Sequence, residues 1–256
     1  MAKWTAFPYG DEYRYDAAAL KKHWARLHAG DAEPWPKDEA VQAAWALFHA
    51  GDFQKAFDAG MKAGGAGVTV ANKAQCIYAN YLEKSEKNRL AMFLEASERA
   101  EAQQAAEPKN AAGYYWQAYA LGRYSQGISV AKALAQGLGS KVKSALETTI
   151  QLAPKHADAH IALGSFHAEV IDKVGKLLGR TQGADTATGL KMYQQALKLN
   201  PVSAIARVEY ANGLVMLEGE KRMKEAEKLY AEAAECTPMD AMERLDVEMA
   251  KAELDD

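Results

Sequence analysis

The chain has 256 residues, 31 Lys and Arg against 34 Asp and Glu, and two cysteines. A formal charge of −3 argues against the basic stripe of a nucleic-acid binder, and two distant thiols, Cys76 and Cys236, argue against a disulfide framework or zinc knuckle. No apolar run approaches the roughly 18–20 residues that span a bilayer, and 52 alanines against seven prolines favour helix.

Taken in chain order, residues 1–15 hold Trp4, Phe7, Tyr9, Tyr13 and Tyr15 with little helical period, and no apolar core of the kind a signal peptide needs. A cytoplasmic location is the expectation. Asp16 is placed to N-cap a helix whose Leu20, Trp24 and Leu27 share a face, with Gly30 ending it. Glu33-Pro34-Trp35-Pro36 is a stiff joint. Gly64 to Val70 lacks the third glycine of a dinucleotide fingerprint and the lysine of a phosphate loop, and it predicts a helix-to-helix connection.

From there four segments end alike, at Pro108, Pro154, Pro201 and Pro238, in steps of 46, 47 and 37 residues. Each proline stands where a helical pattern must stop, and a new amphipathic pattern begins just after it. In the last unit Ala226, Tyr230, Ala233 and Pro238 repeat the spacing of Gly189, Tyr193, Ala196 and Pro201, and Leu163-Gly164 supplies a small residue in a preceding helix. Near the start, Gly51-Asp52-Phe53 with Ala56 and Ala63 has the same turn-then-small-residue character. Small residues form holes that an aromatic on the paired helix fills. These residues resemble the tetratricopeptide repeat family, whose unit is two antiparallel helices. The units ending at Pro154 and Pro201 carry about 12 extra residues each relative to that pattern, around Gly127–Gly139 and Val170–Asp185. Both insertions are glycine-punctuated and apolar at helical spacing, which predicts lengthened helices or an extra turn. The elongated middle units also resemble the regulators of microtubule dynamics and similar bacterial repeat proteins.

The resemblance implies an all-α fold, a right-handed α-solenoid of about five antiparallel helix pairs with elongated middle repeats. Residues 1–34 are expected to form an aromatic extension with one helix, 35–238 the repeats, and 239–256 a helix capping the last apolar face. It also implies that first helices line a concave groove. The inward set is then Val41, Trp45 and Phe48; Tyr115, Tyr119 and Arg123; Ile161, Ser165 and Ala168; and Val208, Asn212 and Val215. Of the family's carboxylate-binding chemistry only Arg123 and Asn212 remain, so an apolar partner is expected: a peptide or amphipathic helix of another protein. Two other occupants stay open, the chain's own segment Trp4–Tyr15 and a lipid-like small molecule carried in the same groove.

Catalysis has little to stand on. His156, His160 and His167 fall within about 40° of helical arc, and the first two are one turn apart, so a metal-dependent enzyme at His156 and His160 is the lesser alternative. The competing reading makes His160 and His167 partly buried imidazoles bonded to backbone or neighbouring side chains, and His156 a loop residue. Cys76 lies in an alanine-rich helix and is expected to be buried rather than reactive. The expectation is a non-catalytic scaffold without cofactor or metal.

Overall fold

The computed structural model describes residues 3–255; Met1, Ala2 and Asp256, the outer ends of the expected extension and cap, lie outside them. Thirteen α-helices and one 3-10 turn make up the secondary structure of the described residues, with no strand among them. The chain forms two compact units. One comprises the chain up to His28, Glu33–Ser129 and Met239–Met242; the other comprises Ala29–Ala32, Val130–Pro238 and the chain from Glu243 onward.

The first unit contains α1 (Ala17–Leu27), α2 (Glu39–His49), α3 (Phe53–Ala63), α4 (Gly67–Tyr81), α5 (Glu86–Ala106) and α6 (Ala111–Gln126). Four of its helices, α1, α2, α5 and α6, begin where short polar side chains satisfy the first free amides: Asp16 accepts from Ala19 N–H, Asp38 from Ala40, Ser85 from Asn88 and Asn110 from Ala112. Gly64 and Gly65 take positive φ values of 66° and 48° to turn the chain between α3 and α4. The two helices then cross so closely that a Cβ at Gly60 would lie 2.5 Å from the Gly67 carbonyl oxygen. As a result α4 is central, with 12 of its 15 residues buried.

The aromatic extension is packed onto this unit. Trp4 stacks on Tyr78 of α4 with ring centroids 4.3 Å apart, and Thr5 N–H donates to the Tyr78 hydroxyl at 3.1 Å. Trp4 N–H donates to Gln54 of α3, and Phe7 meets Phe53 edge-on above the α2–α3 turn. Gly51 in that turn has φ 85°, and a Cβ there would lie 2.6 Å from the Phe7 ring, so both backbone and contact require glycine.

The second unit contains α7 (Val130–Ala135), α8 (Leu138–Leu152), α9 (Ala157–Thr181), α10 (Thr186–Leu199), α11 (Ala204–Glu218), a 3-10 turn (Gly219–Arg222), α12 (Met223–Ala234) and most of α13 (Ala241–Asp255). Tyr193 of α10 fits between two glycines: Cβ atoms at Gly164 of α9 and Gly213 of α11 would lie 2.9 and 2.4 Å from its ring. Around it Ile161, Ala196, Ala211, Leu214 and Ala226 complete a core. Val247 and Ala250 of α13 close the far face against Ala204, Val208 and Ala233. The insertions appear as α7 and as an extension of α9 broken at Gly175 (φ 80°, ψ 162°). The fold class is an all-α solenoid of antiparallel helix pairs with elongated middle repeats.

Candidate functional site

In the first unit α6 presents Tyr115, Tyr119 and Arg123 at i, i+4 and i+8, on one helical face. Its opposite face is held by α5: Gln104 donates to the Gly113 carbonyl at 3.1 Å and to Gln117 at 2.9 Å. Tyr115 is buried, whereas Tyr119 and Arg123 are half-buried. The Arg123 guanidinium sits 5.5 Å over the Tyr119 ring and donates to Gln126. That pair joins an aromatic face to a cation at partly accessible surface.

Trp45 and Phe48 of α2 have 0% exposure and are core side chains, contrary to the groove-facing expectation for them. The reason is α1. Trp24 and His28 meet the Trp45 ring edge-on at 5.8 and 4.6 Å, so the helix read as part of an extension roofs the face of α2. Lys73 of α4 closes the other side, its ammonium 5.5 Å from the Trp45 ring and 5.1 Å from the Phe48 ring. Val41, on the same face, is also buried.

Beneath this roof lies a polar chain that sequence reasoning missed. His49 Nδ1 is 2.7 Å from Asp240 Oδ2, and His49 Nε2 is 3.2 Å from His28 Nε2, all three residues being buried. A carboxylate only accepts, so His49 Nδ1–H donates to Asp240. The contact between His49 Nε2 and His28 Nε2 needs one N–H and one lone pair, so one of the two nitrogens donates and the other accepts. The signal available beforehand was slight. His49 stands one turn beyond Trp45 on a face already read as apolar, but its partners lie 21 residues before it and 191 after it. Among the described residues no group of three or more His, Cys, Asp or Glu is arranged to hold a metal.

In the second unit the expected groove residues divide in the same way. Ile161, Ala168 and Val208 are buried, while Ser165, Asn212 and Val215 are half-buried. Ser165 is engaged within the unit: the Tyr193 hydroxyl donates to it at 3.1 Å, and it donates to Glu209 at 3.0 Å. Burial pushes the Tyr193 phenol well above its ordinary range, with the Glu209 charge adding to the effect. Asn212 Oδ1 accepts from the Tyr230 hydroxyl, whose pKa is pushed up to about 12, first by burial and then by Glu253.

The three histidines of α9 serve the backbone. His156 N-caps the helix by accepting from Ala159 N–H at 3.1 Å, and His160 Nδ1 bonds the His156 carbonyl at 2.9 Å. His167 Nδ1 accepts from Asp185 N–H at 3.0 Å, supporting the start of α10. The Nδ1 atoms of His156 and His160 are therefore committed to main-chain groups. Cys76 is fully buried, and desolvation pushes its thiol up to about 12. Cys236 is half-buried and bonds the Glu232 carbonyl.

Known proteins share this architecture. A family model described as regulator of microtubule dynamics protein 1-3 matches residues 68–255. A solved structure, that of a thermophilic TPR protein of Thermus thermophilus, aligns over 83% of this chain and 97% of its own with a TM-score of 0.59. At 18% identity that likeness speaks to the fold. No curated protein matches the sequence.

Proposed function

The chain belongs to the regulator of microtubule dynamics protein 1-3 family, and we propose that it is a non-catalytic scaffold that binds another protein, a peptide or amphipathic helix, on the first-helix faces of its repeats. In this reading residues 35–238 are the repeat body, 1–34 an extension and 239–256 a cap. The observation that carries it is the Tyr119–Arg123 pair on α6, a partly accessible aromatic with a guanidinium over its face. Tyr and Arg are the residue types that dominate binding energy in protein interfaces, because they offer large contact area and directional donors together. Ser165 and Asn212 add half-buried polar groups in the second unit. Trp45, Phe48 and Tyr115 support those faces from within.

The test is affinity capture from an extract of the source organism with wild type and with Tyr119→Ala/Arg123→Ala. A partner retained by wild type and lost by the variant, at unchanged melting temperature, is the expected result. Equal capture by both would overturn the assignment. A lipid co-purifying in stoichiometric amount, seen by native mass spectrometry and displaced by the same variant, would replace the scaffold with a carrier.

A further inference from the structure

Four of the most exposed large apolar side chains belong to the two insertions of the second unit: Leu177 at 80% exposure, Leu178 at 60%, Leu134 at 51% and Val130 at 40%. The insertions lie at one end of that unit. α8 is joined to α9 by the short turn at 153–156, so the two run antiparallel, and the 15 residues of α8 reach about as far as Ile171 at 1.5 Å per residue. The register agrees, because a Cβ at Gly139, in the first turn of α8, would lie 3.6 Å from the Phe166 ring. The chain before Leu138 and the chain after Ile171 therefore leave the pair at the same end. There Gly175 breaks α9, and the last turns fold back so that a Cβ on Gly179 would lie 3.1 Å from Ile171 Cγ1. Gly179 is the inner contact of this return, and Leu177 and Leu178 face outward.

Charge at this end runs against that of the chain. Residues 130–143 hold three lysines and no carboxylate, and residues 171–184 hold Lys173, Lys176 and Arg180 against Asp172 alone, in a chain of formal charge −3. Lys132, Lys141, Lys176 and Arg180 are all exposed. Lys173 and Lys143 are offset by Glu169 and Glu147, and Asp185 lies near enough to Arg180 to feel its charge, so the positive excess at this end is modest and is carried by the exposed cations. No helix of the described residues is long and apolar enough to cross a membrane. Exposed leucines interleaved with cations on short helices instead fit the headgroup boundary of an anionic bilayer, where apolar burial and attraction to acidic lipid act together.

We propose that α7 and the kinked tip of α9 form a docking surface for an anionic lipid membrane. This surface uses none of the residues named for the protein-binding faces above and does not depend on that reading.

The test is co-sedimentation of the full chain with vesicles of phosphatidylcholine alone and of phosphatidylcholine mixed with phosphatidylserine. Binding to the mixed vesicles only, weakened by added salt, is expected. Leu177→Ser/Leu178→Ser and Lys176→Glu/Arg180→Glu should each weaken partitioning about tenfold or more. Val202→Ser, which removes an exposed apolar side chain elsewhere in the unit, should leave it unchanged. Circular dichroism confirms that each variant is folded; should a double variant unfold, Leu177→Ser alone replaces it. Absence of binding to the mixed vesicles, or equal binding by the variants, overturns the proposal. So does binding to poly-glutamate without binding to vesicles, which would make the surface one for acidic protein, or a dimer of the chain that only the leucine variant dissociates.

Discussion

Tyr193 occupies the volume that a side chain at Gly213 would need, since a Cβ there would lie 2.4 Å from its ring. Gly213→Ala should therefore cost about 1–3 kcal/mol through overpacking. Tyr193→Phe keeps the ring and loses only the bond to Ser165, a cost of about 0.5–1.5 kcal/mol. Denaturant unfolding of the two single variants and of Gly213→Ala/Tyr193→Leu checks the argument. The smaller side chain should recover part of the glycine variant's loss, and strict additivity would refute the contact.

Within the first unit, Asp240, the residue before α13, bonds His49 at the buried end of α2. Asp240→Ala leaves a buried imidazole N–H without its acceptor, and a loss of about 2–4 kcal/mol is expected. Because Asp240 has further interactions, the pair is isolated by a double-mutant cycle with His49→Ala. A coupling energy of at least about 1 kcal/mol is the expected outcome.

His167 should make stability fall in mild acid. Its pKa is lowered from the ordinary 6.5, first by desolvation and then by the Lys143 charge, with Asp185 and Glu147 opposing. Its Nδ1 must also stay unprotonated to accept from Asp185 N–H. The unfolded ring takes up its proton near pH 6.5 and the folded ring only below that. The contribution of His167 is thus complete above pH 6.5 and is lost as pH drops through the folded value. Unfolding free energies measured from neutral pH down to about pH 5 should show a shallower decline in His167→Gln than in wild type.

The thiols should differ in reactivity. Cys76, buried with its pKa raised to about 12, should resist thiol reagents in the native protein and react only on unfolding. Cys236, half-buried near the end of α12, should be modified first. Time-resolved labelling with mass spectrometry of Cys76→Ala and Cys236→Ala distinguishes the two sites, and fast native labelling in Cys236→Ala would contradict the burial.

Much of the local order could be read along the chain. The helix capped by Asp16 with Leu20, Trp24 and Leu27 inward, the proline-phased pairs and the added turns around Gly175 follow from caps, breakers and periodicity within a few residues. The connection expected over residues 64–70 is instead confined to 64–66, because residues 67–70 form the first turn of α4. The glycine-to-tyrosine fit at Gly164 and Tyr193 was implied as well, because small and aromatic residues recur at fixed spacing. The groove faces were less accessible to this reasoning. Val41, Trp45 and Phe48 form an apolar stripe that looks the same whether it meets a ligand or a neighbouring helix.

By itself, then, the amino-acid order determined that helices form, where they start and stop, and that they pair through small-residue seams, since those outcomes depend on neighbours one or two turns away. Only the tertiary structure decided which stripe is roofed. α1 closes over Trp45, Asp240 reaches His49 from 191 residues away, and Leu177 and Leu178 are left outside by the break at Gly175. Burial of an apolar face is a property of what packs against it, and that partner is set by the path of the chain through space rather than by any spacing within the stripe.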